Sequence, residues 1–252
     1  MPLQALSHVT HRQLKFQNLA RPYAFAQDKL LAGLVSSEVS HALRHMPIGF
    51  TLHEGKAALV ALMGLAENEN LFVTTEGQWQ GGYIPAALRA VPFGLMPNAD
   101  GTEQTVVIQD DGGHFATSNG TPLFDETGQA TEFLRNMIGF LQAYKQNEEM
   151  TAKALAALAA SELLEPWELA FTRPDGQPQK IAGLFKIDPA RLDALAPETL
   201  ANLHASGALP LIYAHIFSLT AIPALEKMAR EREPVIPSNI NFSILADDYL
   251  KF

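Results

Sequence analysis

One short stretch of the chain, residues 77–94 with the sequence GQWQGGYIPAALRAVPFG, concentrates side chains that could bind a ligand. Gly81 and Gly82 allow a tight or left-handed backbone, and Pro85 suits the first turn of a helix. The start of a helix presents free backbone N–H groups, which can hold an anion. The aromatic rings and the guanidinium group that could wall such a site belong to Trp79, Tyr83, Phe93 and Arg89.

Two interpretations of this stretch remain open. In the first, Trp79, Tyr83 and Arg89 form a pocket for an anionic or aromatic small molecule. In the second, the aromatic rings fill a buried corner of the core and Arg89 pairs with an acid. The exposure of the indole and guanidinium groups distinguishes the two. The residues predicted to bind a ligand in the first interpretation are Trp79, Gly81, Gly82, Tyr83, Arg89, Phe93 and His215.

Histidines are the next candidates, because they titrate near neutral pH without perturbation. His41 and His45 are four positions apart, so on a helix they would share a face and could bind a metal. Ala42 stands where a zincin has its glutamate, and no third ligand is indicated. No metal site is therefore predicted. His215 lies among apolar residues in LIYAHIFSL, which favours a hydrogen-bonded core histidine over a catalytic base.

Common catalytic and nucleotide-binding motifs are missing from the chain. There is no G-x-S-x-G elbow, no G-x-G-x-x-G and no G-x-x-x-x-G-K-[ST]. The acidic pairs Asp110–Asp111 and Asp247–Asp248 adjoin turn residues and are typical of solvated turns. The sequence predicts no cofactor and leaves catalysis undecided, with the weight against it.

Composition and charge limit the partners. The chain has 252 residues, 27 acidic against 18 basic side chains, a net charge of -9 and no cysteine. This charge argues against nucleic-acid binding, and the lack of cysteine excludes disulfides and thiolate metal sites. A protein partner or a small-molecule ligand remains, and a homo-oligomer is left open.

The N-terminal residues 1–23 contain no charged segment followed by an apolar run, so no secretory signal is predicted. The longest apolar windows, 56–66 and 209–225, are too short or are interrupted by His215 and Pro223, and no transmembrane segment is predicted. We therefore expect a cytoplasmic protein, with signal-independent export to the cell surface as the alternative.

Strand patterns predict an antiparallel sheet built from hairpins and a meander. IGFTLH at 48–53 alternates apolar and polar residues, and a meander through 57–65 and 71–75 fits best. Turn residues between apolar runs predict two further hairpins, one of 91–97 with 103–109 and one of 167–173 with 179–187. Alternation of apolar and polar residues predicts a terminal strand at 239–245.

Helical periodicity follows in the second half of the chain. A helix over 131–146 and a second over 151–164, capped by Thr151, are predicted to form an antiparallel pair. Later helices are predicted at 191–195, at 197–207 with Gly207 as the C-terminal cap, and at 209–232 with a break near Pro223. The order of elements predicts an α+β fold in which an antiparallel sheet packs against several helices. We expect one domain over 1–252, with a weak boundary near 145–165.

The stretch NLFVTTEGQWQGGYIPAALRAVPFGL at 70–95 resembles the SapC family of bacterial proteins, whose members carry N-L-F-V, G-x-W, Y-I-P and L-R-x-x-P-F in this order. SSEVSHALRHMPIGF and SGALPLIYAHIFSLTAI agree with the same family, and the resemblance covers nearly the whole chain. Ala90 and Val91 depart from it, since a second aromatic or basic residue is expected there.

The resemblance implies two function hypotheses. The family name implies a soluble accessory protein, linked to the surface layer or envelope and acting by protein interaction. A likeness to neighbours of flavin-dependent halogenases and oxygenases implies instead a small-molecule-binding protein or an uncommon enzyme that supports such modification, with its pocket around Trp79, Tyr83 and Arg89.

Overall fold

A computed structural model describes residues 3–98, 101, 103–110, 112–172 and 178–232. The described strands are β1 Gln4–Ala5, β2 Lys15–Phe16, β3 Leu31–Gly33, β4 Ile48–His53, β5 Lys56–Leu62, β6 Phe93–Pro97, β7 Gln104–Ile108, β8 Phe115–Ala116, β9 Thr121–Pro122, β10 Leu164–Pro166, β11 Leu169–Thr172, β12 Pro178–Ile181 and β13 Leu184–Ile187. The described α-helices are α1 Val39–Ala42, α2 Ala86–Arg89, α3 Glu132–Ala160, α4 Pro189–Asp193, α5 Pro197–Ala205, α6 Ala208–Ser218 and α7 Ile222–Arg232. The fold is α+β, as predicted.

Every strand pairing between these elements is antiparallel. The largest sheet has the order β10-β13-β4-β5-β3, and smaller sheets have the orders β1-β7-β6, β8-β2-β9 and β11-β12. The predicted hairpin of β6 and β7 is confirmed, with Phe93 opposite Ile108. The hairpin of β11 and β12 is also confirmed, while residues 173–177 of its turn lie outside the described residues.

The meander prediction is only partly correct. IGFTLH and the apolar run after it form the hairpin of β4 and β5. LFVTT at 71–75 is not a strand, since its ladder contact is a single bridge from Val73 to Trp79. The physical reason is Asn70, which is fully buried: its side chain donates to the carbonyl of Ala26 and accepts from the N–H of Phe72. These bonds fold the segment as an Asx-type turn instead of an extended strand.

The predicted pair of helices over 131–146 and 151–164 is wrong. One continuous helix, α3, runs from Glu132 to Ala160, and its N-terminal cap is Thr131. Thr151 lies inside the helix, where its hydroxyl donates to the carbonyl of Asn147 and accepts from the N–H of Ser36. Neither glycine nor proline stands between the two predicted segments, so nothing in the backbone interrupts the helix.

Helix α3 connects two clusters of buried apolar side chains. Leu134 and Leu141 in its first half belong to a cluster with Phe93 and Ile108 of the β6–β7 hairpin. The second half contributes Ala154, Leu155 and Leu158 to a larger cluster that includes the five-stranded sheet and α6. The prediction of a single domain with a weak boundary near 145–165 stays a prediction.

The C-terminal helices agree with the sequence pattern. Gly207 adopts φ +78 between α5 and α6, the left-handed conformation that favours glycine at a helix end. The predicted break before Pro223 is confirmed, because a 3-10 turn over Leu219–Ala221 separates α6 from α7. The run Ala208–Arg232 is long and apolar enough to cross a membrane, but half of its most apolar window is buried within the fold, as in a core helix. The predicted strand at 239–245 lies outside the described residues.

Candidate functional site

Gly81 and Gly82 form an exposed ledge, called here the glycine ledge. Gly81 has φ +147, and a Cβ atom added there would lie 2.8 Å from Cδ1 of Phe72. A Cβ atom added at Gly82 would overlap the imidazole of His45. Gly81 therefore requires glycine for its backbone conformation, and glycine at position 82 allows the close approach of the His45 side chain.

Two open cavities meet at this ledge, and both are lined by Gly81 and Gly82. The first has a volume of about 570 Å³ and is called here the tyrosine trough; its other lining residues are Ser37, Glu38, His41, Tyr83, Ile84 and Arg89. The second, the arginine trough, has a volume of about 610 Å³, and its charged or ionisable lining residues are Arg44, His45, Glu231 and Arg232. The ledge is the common wall of the two troughs.

Glu38 lines the tyrosine trough and holds neighbouring groups in place through hydrogen bonds. Its side chain is buried, and its Oε1 atom accepts hydrogen bonds from the Tyr83 hydroxyl and the Ala86 N–H, each at 2.6 Å. Its Oε2 atom accepts from the N–H of Val35 at 3.1 Å. The sequence predicted that the N-terminus of α2 could hold an anion, and the structure places the chain's own Glu38 carboxylate there. A ligand anion at that amide is therefore not supported.

Tyr83 is held as a neutral phenol. Burial, with added contributions from the hydrogen bond and the negative charge of Glu38, raises the pKa of Tyr83 to about 12. Its ring stacks against the imidazole of His41, with centroids 5.7 Å apart and planes inclined by 13°. Tyr83 thus forms a rigid wall of the trough, and its hydroxyl donates its hydrogen bond to Glu38.

Arg89 is exposed, so the guanidinium group is not buried in a core corner. It donates from Nε to the carbonyl of Ile84 at 3.0 Å, and its Cζ atom lies 5.0 Å from the ring centroid of Phe140 on α3. Nη2 lies 3.4 Å from the Tyr83 hydroxyl oxygen. No carboxylate among the described residues forms an ion pair with Arg89, so the pairing with an acid in the second interpretation is not found in that part of the chain. The positive charge is held in place and is available at the rim of the trough.

Trp79 lies beneath the glycine ledge and does not line either trough. Its indole stacks on Phe72, with centroids 5.5 Å apart, and meets Tyr23 edge to face at 5.6 Å. Its Nε1 atom is buried and has no hydrogen-bond partner among the described residues. An ideal Cβ at Gly81 would lie 3.4 Å from this nitrogen. Trp79 therefore packs under the ledge, where it supports the Gly81 backbone.

Two of the predicted site residues lie elsewhere. Phe93 is 5% exposed and packs with Phe115 and Phe133 in the smaller core cluster. His215 is 1% exposed in the larger cluster, where its Nδ1 donates to the carbonyl of Ile48 at 2.7 Å and its Nε2 accepts from the N–H of Ile187. Both ring nitrogens are thus occupied. The prediction of a hydrogen-bonded core histidine is confirmed for His215.

The structure brings together Gly81, Gly82, Tyr83 and Arg89 and adds residues that the sequence patterns did not indicate. His41 borders the tyrosine trough and His45 the arginine trough, so the two imidazoles are separated by the ledge. No group of three potential metal-ligating side chains occurs in the described part of the chain. Glu38, Arg44 and Arg232 are new members of the site. The only signal for Glu38 and Arg44 was their place in the SSEVSHALRHMPIGF segment of the family resemblance.

Comparison with known families identifies the class of protein to which this fold and site belong. The SapC family model matches residues 6–225, and the chain therefore belongs to the SapC family. The match includes the glycine ledge, the whole tyrosine trough and most of the arginine trough, while Arg232 lies beyond it. No curated protein and no solved structure matches the chain.

Proposed function

We propose that this SapC-family protein acts by binding an acidic segment of a partner protein across the glycine ledge. The observation that carries this proposal is the cationic rim of the two adjoining troughs. Arg89 borders one trough and Arg44 the other, and both are exposed. Arg232 adds its positive charge to the second trough, while its guanidinium donates to the carbonyls of Asn70 and Val73. A guanidinium group recognises a carboxylate through two parallel hydrogen bonds, so such a rim suits Asp and Glu side chains.

The acidic residues of the site do not cancel this rim. Glu38 is buried and its carboxylate already accepts three hydrogen bonds from within the protein. Glu231 forms an ion pair with Lys227 one turn earlier in α7, with 3.7 Å between Oε1 and Nζ. The rim therefore keeps an excess of positive charge on a chain whose net charge is -9. The contrast between the positive rim and the negative net charge attracts an acidic partner to this face over long range and repels it from the other faces.

The ledge also offers backbone groups to an extended segment. Among the described residues, the backbone of Gly81 and Gly82 forms no hydrogen bond, and both residues are exposed. Unpaired N–H and C=O groups on an exposed surface are the feature that peptide-binding edges use to capture an extended chain. A peptide that lies over the ledge would place alternate side chains in the two troughs. This geometry favours a peptide over a compact small molecule.

A peptide-display selection tests the proposal without a known partner. Full-length protein is immobilised and a random peptide library is selected at low and at high ionic strength. We expect enrichment of sequences rich in Asp and Glu at low salt, because the attraction between exposed charges is screened by salt. Enriched peptides are then measured in solution against Arg44→Glu and Arg89→Glu.

The matched control is Lys153→Glu, an exposed charge reversal on α3 that changes the net charge by the same amount. Loss of binding in Arg44→Glu and Arg89→Glu, with binding retained in Lys153→Glu, supports the proposal. Selection of peptides with no acidic bias contradicts it, and so does equal loss of binding in all three variants.

A second candidate, contact with an envelope or surface-layer protein, is favoured by one specific surface. Tyr213 and Phe217 are 45% and 59% exposed on successive turns of α6, and their rings stack with centroids 6.3 Å apart. Exposed aromatic pairs of this kind are enriched at protein interfaces. The link to the surface layer itself rests on the family resemblance. The halogenase- or oxygenase-related role implied by the resemblance also stays a prediction.

Cell fractionation tests this second candidate. We expect the native protein in the envelope fraction and Tyr213→Ser/Phe217→Ser in the soluble fraction, with Leu52→Ser, at a similarly exposed apolar position on β4, as the control. Sedimentation of the purified protein measures whether the same surface forms the homo-oligomer that the sequence leaves open. Identical fractionation and sedimentation of all three proteins contradict this candidate.

A further inference from the structure

A second set of polar groups lies outside the two troughs, where His114 follows β7. Its side chain is 7% exposed, and its Nδ1 atom lies 3.3 Å from Oδ1 of Asp110. The same carboxylate accepts hydrogen bonds from the backbone N–H groups of His114 at 2.7 Å and Phe115 at 3.2 Å. Asp110 is thus fixed in place by the backbone, and it in turn orients the imidazole.

The orientation leaves one nitrogen of His114 unused. Because a carboxylate accepts and cannot donate, the proton of the neutral imidazole lies on Nδ1, and Nε2 carries the lone pair. Nε2 has no hydrogen-bond partner among the described residues. The ring is held between Phe16, which stacks on it with centroids 6.4 Å apart, and Phe25, which meets it edge to face at 6.3 Å. His114 therefore presents an oriented acceptor with no partner in the described chain.

This acceptor lies in the wall of a cleft, called here the histidine cleft. The cleft has a volume of about 310 Å³, and its apolar walls are Phe16, Leu19, Pro22, Phe25, Leu88 and Val91. Gln17, Asn18, Tyr23 and Arg89 contribute polar groups to the same cleft. A smaller cavity of about 270 Å³ adjoins it through Leu19, Phe25 and His114. Apolar walls with a few fixed polar groups are the usual composition of a small-molecule site.

Arg89 borders both the tyrosine trough and the histidine cleft. Its positive charge also acts on the Tyr23 hydroxyl, since burial raises the pKa of Tyr23 while Arg89 opposes that rise. The cleft thus combines a guanidinium donor, an imidazole acceptor and flat aromatic walls. None of these groups is supplied by the glycine ledge, so the cleft is distinct from the proposed peptide site except for this shared arginine.

We propose that the histidine cleft binds a small aromatic carboxylic acid that carries a hydroxyl or amino substituent. The carboxylate pairs with Arg89, the ring packs against the apolar walls, and the substituent donates a hydrogen bond to Nε2 of His114. Asp110 acts as a positioning residue, because it holds the imidazole in the tautomer that accepts.

Ligand-observed NMR on the full chain tests the proposal, with the three isomeric hydroxybenzoates and the three aminobenzoates as probes. Benzoate lacks the donor, and the matching hydroxybenzyl alcohols lack the carboxylate. We expect at least one isomer to bind, and loss of either group to weaken its binding about tenfold, the usual effect of one hydrogen bond in a binding site. The acids are titrated up to about 10 mM, a concentration at which a site with a Kd of about 1 mM would be nearly saturated. The proposal is overturned if none of the six acids binds with 1:1 stoichiometry in this range.

His114→Phe supplies the decisive comparison. This variant keeps the aromatic packing and removes the acceptor, so it should bind the hydroxybenzoate about tenfold more weakly and no better than benzoate. His53→Phe, at an exposed histidine that ends β4, is the matched control and should bind like the native protein. Unchanged selectivity for hydroxybenzoate over benzoate in His114→Phe overturns the proposal.

Two further variants keep the test independent of folding and of the peptide site. Leu19→Trp fills the cleft from a loop position and should abolish binding, and retained binding in this variant overturns the proposal even where His114→Phe does not fold. Arg44→Glu should lose acidic peptides and keep hydroxybenzoate. Parallel loss of both ligands in Arg44→Glu also overturns the proposal, because it would place the acid in the arginine trough.

Discussion

The hydroxyl of Tyr83 donates a 2.6 Å hydrogen bond to Oε1 of Glu38, a residue 45 positions earlier in the chain. The same oxygen accepts from the N–H of Ala86 at the start of α2. One buried carboxylate therefore joins the segment before α1 to the turn that carries the glycine ledge. The geometry of both the tyrosine trough and the rim arginine depends on this contact.

Tyr83→Phe should lower the free energy of unfolding by about 1.5 to 3 kcal/mol, the usual range for a hydrogen bond to a charged group. The ring and its stacking on His41 are kept, while the donor to Glu38 and the long contact from Nη2 of Arg89 are lost. Urea denaturation followed by circular dichroism measures the change. Tyr213→Phe is the control, because the side chain of Tyr213 is 45% exposed on α6, and it should stay within about 0.5 kcal/mol of the native protein. Equal effects of the two substitutions would contradict the prediction.

The two ledge glycines should tolerate alanine unequally. Gly81→Ala adds a Cβ at φ +147 and against the buried ring of Phe72, so we expect a loss of about 1 to 3 kcal/mol. Gly82→Ala meets the exposed imidazole of His45, which can rotate away, so we expect a loss below about 1 kcal/mol.

Urea denaturation of both variants measures this order, and a double-mutant cycle of Gly82→Ala with His45→Ala tests its cause. The alanine at 82 should become nearly neutral once the imidazole is removed, and the coupling between the two positions should therefore be favourable. A larger cost at Gly82 than at Gly81, or no coupling with His45, would be incompatible with the ledge as described.

Gly139→Ala should stabilise the protein. Gly139 lies in the interior of α3 on its exposed side, and a Cβ there would meet nothing within 4 Å. Alanine in a helix interior is favoured over glycine by about 0.5 to 1 kcal/mol, because it loses less backbone entropy on folding. Thermal or urea denaturation measures the gain. A loss of stability would show that α3 is interrupted near this position.

Stability should fall at acidic pH because of His215. Burial lowers the pKa of His215 in the folded protein to about 4, below its ordinary value of 6.5. Between these pH values the unfolded chain binds more protons than the folded chain, so the free energy of unfolding decreases as pH falls from 6.5 to about 4. Above 6.5 this contribution is fully present. Its size is on the order of 3 kcal/mol.

Chemical denaturation at several pH values between 4 and 7.5 measures this dependence. His215→Gln is the informative variant, because its amide can donate to the carbonyl of Ile48 and accept from the N–H of Ile187 without titrating. We expect a shallower pH dependence in the variant. An unchanged slope would show that other groups carry the acid sensitivity of the protein.

Local rules predicted several elements correctly, and their failures have identifiable causes. The hairpin of β6 and β7, the break before Pro223 and the Gly207 cap depend on turn and capping residues that act over a few positions. Thr151 satisfied the local rule for a helix cap, but its hydroxyl bonds to Asn147 within α3 and to Ser36 from another segment. LFVTT had the composition of a strand, but the bonds of the buried Asn70 determined its path.

The candidate site was also predicted only in part, because local patterns indicated some of its residues and remote contacts supplied the others. The stretch 77–94 already grouped Gly81, Gly82, Tyr83 and Arg89 in the sequence, and the apolar neighbours of His215 correctly indicated a core position. The sequence did not indicate that Glu38 would occupy the N-terminus of α2, or that Arg232 would meet the carbonyls of Asn70 and Val73 from about 160 positions away. Such contacts are made by segments with no local relation to each other.

The sequence by itself determined the SapC family, the α+β class, the acidic charge and the elements bounded by glycine, proline and capping residues, because these follow from composition and from interactions between near neighbours. The tertiary structure decided that two troughs meet at the glycine ledge and that Asp110 orients His114 beside an apolar cleft. Those arrangements depend on which remote surfaces bury each other, and the free energy of that burial is a property of the whole packed chain and not of any short segment.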